Sequence, residues 1–541
     1  MKNWRIIILA FLLLNVSLSS CGQPHLPETQ QDFAKKNWDA SISGSFVAQN
    51  ELTFDSLVLK SFFKSHPQLK QVEDDVVLFY RSRNFAYAWF DDGKLIEQAG
   101  NLYNRVINLQ NEGVSKKIPY QASLDSLFNL FEVEEHQKKP NILLELMLTA
   151  DYFVFSKLSW EGVDQSVSES LKWHLPRKKV NYEHYLDSIL ENTNAKNTIK
   201  EPVYRQYDLL KTYLKKYKDL ERKEIWTALQ YTKNGSQLGD TSLLIAQIKK
   251  RLFLLNDFKG DTSNAIFDLS FYNALKVFQQ RNGLTVDGLI GNETIKILNI
   301  PLKSRIRQII VNMERNRWLP IAEYEDVLAV NIPDFKLHVF HKDSLLWSCK
   351  VVVGQSIHPT TVFFGEVQNV VFSPYWNVPE SIVRNEILPQ IRKHANYLAT
   401  HDMEITGYSN GLPNVRQKPG PNNALGLVKF LFPNIYNTYL HDTPAKSLFG
   451  ETSRAFSHGC IRVEEPVKLA NFLLRNQTAW TPEKINSAMH SGHEKYVKLN
   501  TKVPVFIAYF TAFVGQNNQL NFRKDIYNLD EHLADMLLEE E

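Results

Sequence analysis

At 541 residues the chain exceeds what one hydrophobic core supports, so several compact units are expected. Its 43% apolar and 22% charged residues are those of a globular protein, and an aromatic content of 12% points to large cores. A net charge of +3, with acidic and basic residues balanced along the chain, gives no basis for a nucleic-acid partner.

The first twenty residues differ in kind. Lys2 and Arg5 precede an apolar run from Ile6 to Leu14, the layout of a secretory signal and too short for a membrane span. The run ends in Leu18-Ser19-Ser20-Cys21, which resembles the lipobox of bacterial lipoproteins. The resemblance implies that Cys21 receives lipid and becomes the new amino terminus; an ordinary cleaved signal is the alternative reading. The expected location is the periplasmic face of a bacterial membrane, with the anchor lipid as the membrane contact. Polar residues over 21–64 read as a tether.

Apolar spacing of three to four residues predicts a mostly helical unit over 65–238, as in Leu143, Leu144, Met147 and Leu148. Within it, Phe79 to Phe90 is aromatic enough for a sugar or peptide surface, and a hydrophobic helix face explains it equally well. A small three-helix unit is expected over 239–300, with faces from Ile245, Ile248, Leu252 and from Phe271 to Gln280, turn glycines at Gly283, Gly288 and Gly291, and a last helix Asn292 to Leu298. Phe278-Gln279, Asn282-Gly283-Leu284 and Asp287-Gly288 with Gly291 make this unit similar to the peptidoglycan-binding module, which implies cell-wall binding.

A connecting helix is predicted over 301–324, followed by a β-rich unit over 325–515. Its strands are expected at Val327–Ile332 and Lys336–Phe340, flanking a hairpin at Pro333-Asp334, then at Trp347–Val353, Val367–Phe372, Ile435–His441 and Val505–Phe513. A helical insertion at about 381–420 interrupts the series as a cap, and 516–541 reads as a tail with a short surface helix. The fold class is therefore α+β multidomain.

The chemistry concentrates in Ser457-His458-Gly459-Cys460-Ile461-Arg462, with His441 nineteen positions before Cys460. A cysteine is a nucleophile as its thiolate, which a nearby histidine favours, so the pattern asks for acyl transfer. His441 is the better-placed base, and Asp442 or its carbonyl is placed to orient the imidazole. Gly459 and Cys460 offer N–H groups for an oxyanion, with His458 nearby. Pro466 suits a helix start whose positive end would favour the thiolate. A zinc site from His441, His458 and Cys460 lacks a fourth ligand, and a papain-like order is absent. A buried structural cysteine leaves the two histidines unexplained. Cys349 alternates with Trp347, Val351 and Val353 on one strand face and reads as a buried hydrophobe, not as a disulfide partner of Cys460.

The motif resembles that of the L,D-transpeptidases of the YkuD fold, with His441-Asp442-Thr443 carrying aspartate where glycine is usual. The unit order, Tyr375-Trp376-Asn377-Val378-Pro379 and Pro419 to Gly426 resemble the large YcbB-type branch. The resemblance implies a cysteine-dependent L,D-transpeptidase without metal or organic cofactor, in which Cys460 is acylated, His441 is the base, and Gly459 with Cys460 supplies the oxyanion donors. Arg462 is placed to bind a stem carboxylate, or to brace the loop. Ser457, Trp376, Tyr375, Tyr436 and Tyr439 are further candidates for the substrate cleft. Implied partners are peptidoglycan stem peptides and glycan, together with cell-wall synthesis proteins. The same nucleophile would serve an L,D-carboxypeptidase or an enzyme anchoring lipoprotein to peptidoglycan. A non-catalytic wall adaptor is the alternative of another class.

Overall fold

The computed structural model describes residues 52–91, 93–133, 139–191, 199–231, 237–320 and 324–538. Cys21 and the apolar run before it lie outside the described residues.

The amino-terminal helices form because each presents an apolar stripe, or, at the centre, an apolar surface all round. Helix Ile142–Ser156 is the latter: Asn141 caps it by accepting from the Leu143 and Leu144 N–H groups at 3.0 and 3.1 Å, and residues 144–156 are buried. Helices Leu57–Ser65, Glu73–Ser82, Glu97–Ile107 and Arg205–Lys223 pack their stripes in the same core. The fold thus starts before the expected boundary at 65, since Phe54 already packs edge-on against Tyr80. Phe79, Tyr80, Trp89 and Phe90 are buried, so that aromatic segment is core and not a recognition surface.

The three-helix unit forms as expected, from Leu243–Leu254, Leu269–Arg281 and Asn292–Leu298, with Ser242 and Asp268 capping the first two. Its own core includes Ile245, Ile248, Leu252, Phe271, Leu275, Phe278 and Leu298.

The segment expected as a connector is instead a central element. Helix Leu302–Trp318 sends Ile306, Ile309, Ile310 and Met313 into the helical core and Val311 and Trp318 into the core of the β-rich unit. Its polar residues are also committed: Arg317 pairs with Glu314 and donates to the Glu112 carbonyl at 2.6 Å, and Arg315 pairs with Asp530 at 2.6 Å.

The β-rich unit is a sheet that closes on itself. Strands run in the order Val428–Leu431, Leu440–His441, Ile461–Val463, Ser344–Gly354, Lys336–His341, Asp326–Asn331, Lys495–Ala508 and Val362–Phe372, the last pairing back onto Val428–Leu431. The hairpin turn falls at Ile332–Asp334, where Pro333-Asp334 predicts it. Inward residues such as Leu328, Val330, Leu337, Val339, Val351 and Val353 alternate along the strands and are fully buried. The helical region adds a short strand, Trp173–His174, parallel to Val362-Phe363.

Three expectations are corrected here. Only Leu440–His441 of the strand predicted from Ile435 is extended, because Asn434 gathers the preceding turn by accepting from the Tyr436 and Thr438 N–H groups. The insertion is not wholly helical: short helices over 380–400 are followed by a hairpin, Met403–Ser409 with Leu412–Gln417, turning at Asn410-Gly411. Nor is 516–541 a surface tail. Strands Ala512–Val514 and Leu520–Phe522 pair and bury their side chains in the amino-terminal helical core, and helix Leu529–Leu537 packs on the central helix.

Candidate active site

The register of two short strands assembles the site. Leu440 and His441 pair in parallel with Ile461 and Arg462, and the Ile461 N–H donates to the Tyr439 carbonyl at 3.1 Å. Cys460 therefore enters its strand beside Tyr439, with His441 and Arg462 side by side two register steps further on.

His441 is buried, and its Nδ1 lies 2.5 Å from the Asp442 carbonyl oxygen. A carbonyl only accepts, so Nδ1 carries the proton and Nε2 presents a lone pair. Burial, then the Arg462 charge, pushes the imidazole down to about 4, so it is neutral at neutral pH. The Asp442 carboxylate is elsewhere. Its Oδ1 accepts from the Thr443 N–H at 2.7 Å and Lys446 Nζ at 2.5 Å, and its Oδ2 from the Leu427 N–H at 2.9 Å. Between the two options for orienting the imidazole, the geometry selects the carbonyl. The space for this carboxyl comes from Gly426, at φ +63°, where a Cβ would fall 2.4 Å from the Asp442 side chain.

Cys460 is half-buried, and its thiol points to the Asn437 carbonyl at 3.7 Å. Burial raises its pKa, against the lowering effect of hydrogen bonds from the Tyr439 backbone and hydroxyl and of the Arg462 charge. The Tyr439 hydroxyl is itself held well above its ordinary value by burial and by the neighbouring thiol, so it stays a donor. The resting pair is a neutral thiol and a neutral imidazole. The expected assistance from a helix start is not present, because strand Ile461–Val463 separates Cys460 from helix Pro466–Leu474.

The motif turn is self-braced. Ser457, buried, donates through Oγ to the Cys460 carbonyl at 2.5 Å and accepts from the Gly459 N–H at 3.1 Å, while Thr360 donates to the Gly459 carbonyl at 2.9 Å. Gly459 sits at φ +110°, a conformation that strains a side-chain-bearing residue. Two expectations change as a result. Ser457 shapes the turn and is not free to bind substrate, and the Gly459 N–H is occupied, leaving that of Cys460 without a protein acceptor among the described residues.

His458 points away from the thiol. Its Nε2 meets Glu386 of the insertion at 3.0 Å, and its ring lies 5.2 Å from that of His358. Arg462 keeps a buried Nε with no protein partner, so the guanidinium is not a simple brace. Trp376 packs in the insertion's own core, and the Tyr375 ring lies under Arg416 at 4.2 Å. Among the described residues no hydrogen bond or ring contact joins either to Cys460 or His441. Tyr436 packs on Phe363 and stacks on His174, and is core. The sequence reading missed Asn437, Thr360 and Glu386. The left-handed Asn437, φ +52°, carries a turn signal in its residue type, whereas the other two have no local signature. Cys460, His441 and Arg462 thus come together on two adjacent parallel strands, with Nδ1 of the imidazole held by a carbonyl and Nε of the guanidinium buried without a protein partner among the described residues.

Residues 325–505 match the YkuD family, described as "L,D-transpeptidase catalytic domain"; residues 74–214 match a "Scaffold domain" and residues 242–298 a "Putative peptidoglycan binding domain". A Haemophilus influenzae protein described as "Putative L,D-transpeptidase" is 32% identical over 243 residues, 42% of this chain and 49% of that protein. The matched region thus spans about half the length of that curated relative. Among solved structures, an L,D-transpeptidase from Mycobacterium smegmatis is similar at 11% identity and a TM-score of 0.20, over 34% of this chain and 58% of that one. Another, from Stackebrandtia nassauensis, has 14% identity and a TM-score of 0.22, over 50% and 94%. Residues 325–505 are thus similar to the L,D-transpeptidase catalytic domain of the YkuD family, residues 74–214 to a scaffold domain and residues 242–298 to a peptidoglycan-binding domain.

Proposed function

We propose that this protein is a lipid-anchored L,D-transpeptidase at the periplasmic face of a bacterial membrane, held there through Cys21, and that it crosslinks third-position residues of peptidoglycan stems. Cys460 Sγ attacks the carbonyl carbon of the L-to-D bond before the terminal D-residue of a tetrapeptide stem, and its proton passes to His441 Nε2. The Cys460 N–H stabilises the tetrahedral oxyanion. His441 then protonates the leaving D-residue amine as the C–N bond breaks, leaving a thioester on Cys460. The side-chain amine of a neighbouring stem attacks the thioester, loses its proton to His441, and releases the thiol. Water or a lipoprotein lysine as acceptor would use the same thioester.

The Nδ1 contact of His441 with the Asp442 carbonyl carries this reading, since it places the ring proton on Nδ1 and leaves Nε2 as the basic nitrogen. Tyr439 supports it by donating to the sulfur as negative charge develops there. Arg462 supports it with a buried Nε that has no protein partner among the described residues, on a guanidinium suited to a stem carboxylate.

Intact-protein mass spectrometry of wild type and Cys460→Ala, each with a tetrapeptide muropeptide and a carbapenem, tests the reaction. Adducts on wild type alone, with crosslinked product, are expected. Absence of adduct and product from wild type would reject the enzyme in favour of a wall-binding adaptor.

A further inference from the structure

The peptide units on either side of the Gly459–Cys460 bond are held by one side chain and the bond itself by another. Ser457 Oγ accepts from the Gly459 N–H at 3.1 Å and donates to the Cys460 carbonyl at 2.5 Å, which fixes the units before and after. The unit between them joins the Gly459 carbonyl to the Cys460 N–H. A trans peptide is planar and its C=O and N–H point in opposite directions, so holding the carbonyl aims the N–H. Glycine at φ +110° does little to restrain that plane by itself. Among the described residues, the side chain that holds it is Thr360, whose hydroxyl donates to the Gly459 carbonyl at 2.9 Å.

Thr360 is buried and is itself held at two points. Its Oγ1 accepts from the Gly354 N–H at 2.9 Å, and its own N–H donates to the Tyr527 hydroxyl at 3.2 Å. That hydroxyl donates in turn to the Gly354 carbonyl at 2.7 Å, so the Thr360 and Tyr527 hydroxyls bracket Gly354, each as donor and acceptor at once. The packing is close enough that a Cβ on Gly354 would fall 2.1 Å from the His358 carbonyl oxygen and 3.1 Å from Gly459 Cα. Tyr527 lies beyond residues 325–505, in the stretch expected as a tail. Its ring stacks on Tyr509 at 5.5 Å, its N–H donates to the Tyr509 hydroxyl at 2.9 Å, and Tyr509 donates to Asp525 at 2.5 Å. Asp525 also accepts from the Leu529 and Asp530 N–H groups, and Asp530 pairs with Arg315 of the central helix at 2.6 Å.

We propose that Thr360 and Tyr527 are positioning residues that aim the Cys460 N–H at the tetrahedral oxyanion, Thr360 by holding the Gly459 carbonyl and Tyr527 by holding Thr360. The proposal rests on the reaction proposed above. A hydrogen bond to the carbonyl also polarises the peptide and makes the N–H at its other end a better donor. Among the described residues no hydrogen bond joins either hydroxyl to Cys460 Sγ or to the His441 ring, so the reactivity of the thiol itself does not depend on them.

The test compares two reactions of the same thiol in the full chain. Carbapenem acylation passes through a tetrahedral oxyanion, whereas iodoacetamide alkylation is a displacement that needs no such donor. Thr360→Val, which keeps the side-chain shape, is expected to lower the acylation rate constant by roughly tenfold or more. Tyr527→Phe should lower it by about threefold to fivefold, and Thr360→Ser, which restores the hydroxyl, should stay within about threefold of wild type. Alkylation should stay within about twofold of wild type in all three, and carbapenem binding ahead of acylation should weaken less than the rate constant falls. Acylation of Thr360→Val within twofold of wild type would overturn the role of Thr360 and, with it, that of Tyr527. Equal falls in alkylation and acylation would overturn it too, since they would reduce both residues to braces of the fold. A wild type that is alkylated but never acylated would instead reject the proposed reaction on which the role depends.

Discussion

The peptidoglycan-binding domain and the insertion over 380–417 are both appended to the catalytic domain, the one through buried polar side chains and the other partly through half-exposed ones. Arg523, 8% exposed, donates to Asp334 at 2.6 Å and to the Arg281 carbonyl at 2.8 Å, so one side chain ties the carboxy-terminal segment to both domains. Arg281 donates to the Leu520 carbonyl and Arg305 to Asn282 across the same seam. The insertion has a small core of its own around Val378, Val383, Ile387 and Val415. Its link to the motif turn is Glu386 with His458, 53% and 42% exposed. Buried ion pairs are costly to break one partner at a time, whereas exposed ones contribute little. The difference makes the binding domain a fixed part of the molecule and the insertion the part freer to yield beside the motif turn.

The thiol sits on the fixed side, and its reactivity gives the largest expected effect. Since burial raises the Cys460 pKa and His441 is neutral above about 4, no thiolate–imidazolium pair forms at rest. Iodoacetamide alkylation should climb about tenfold per pH unit from about pH 6 to 9 without levelling, because the reactive thiolate fraction rises with pH. A plateau near neutrality would show a preformed ion pair and a more yielding site. Arg523→Ala should cost about 3 kcal/mol in urea unfolding, as a buried carboxylate loses its partner. A loss under about 0.5 kcal/mol would remove the contrast between the two appendages. Gly426→Ala should cost about 2 kcal/mol, from a positive φ and the clash with the Asp442 carboxyl, and slow carbapenem acylation with it. Asp442→Asn should lower stability by about 1 kcal/mol yet leave the acylation rate within threefold, because the backbone carbonyl holds His441. Glu386→Gln should shift stability by no more than about 0.5 kcal/mol. A larger shift would place the insertion with the fixed parts.

What was legible in the sequence follows from which interactions are local. The three-helix unit and the hairpin at Pro333-Asp334 are written in periodicity, caps and turn residues, so their placement could be read directly. Cys460 and His441 stand out because few other pressures place those residue types beside a glycine turn. The roles of Ser457 and His458 were not legible. Each is decided by where an adjacent loop or the insertion folds back, and neither partner is marked locally. Helix Leu302–Trp318 was mistaken for a connector because burial on opposite sides by two different cores removes the single apolar stripe on which sequence reading relies. Aspartate at position 442 looked like a third catalytic member, but side chain and carbonyl of one residue face different partners, a distinction no sequence carries.

The hairpin Ala512–Val514 with Leu520–Phe522 also bears on the order of folding. Gln206 donates to the Val514 carbonyl at 2.7 Å and accepts from its N–H at 2.9 Å, a closure spanning 308 positions. The Tyr213 hydroxyl reaches Asn518 over a similar interval, 305 positions. Such distant pairings are slow to form. The helices that precede residue 223 therefore lack two strands of their own core until residues 512–522 have been made. The amino-terminal unit is consequently a late assembler, and a chain interrupted before residue 522 leaves it with an open apolar flank.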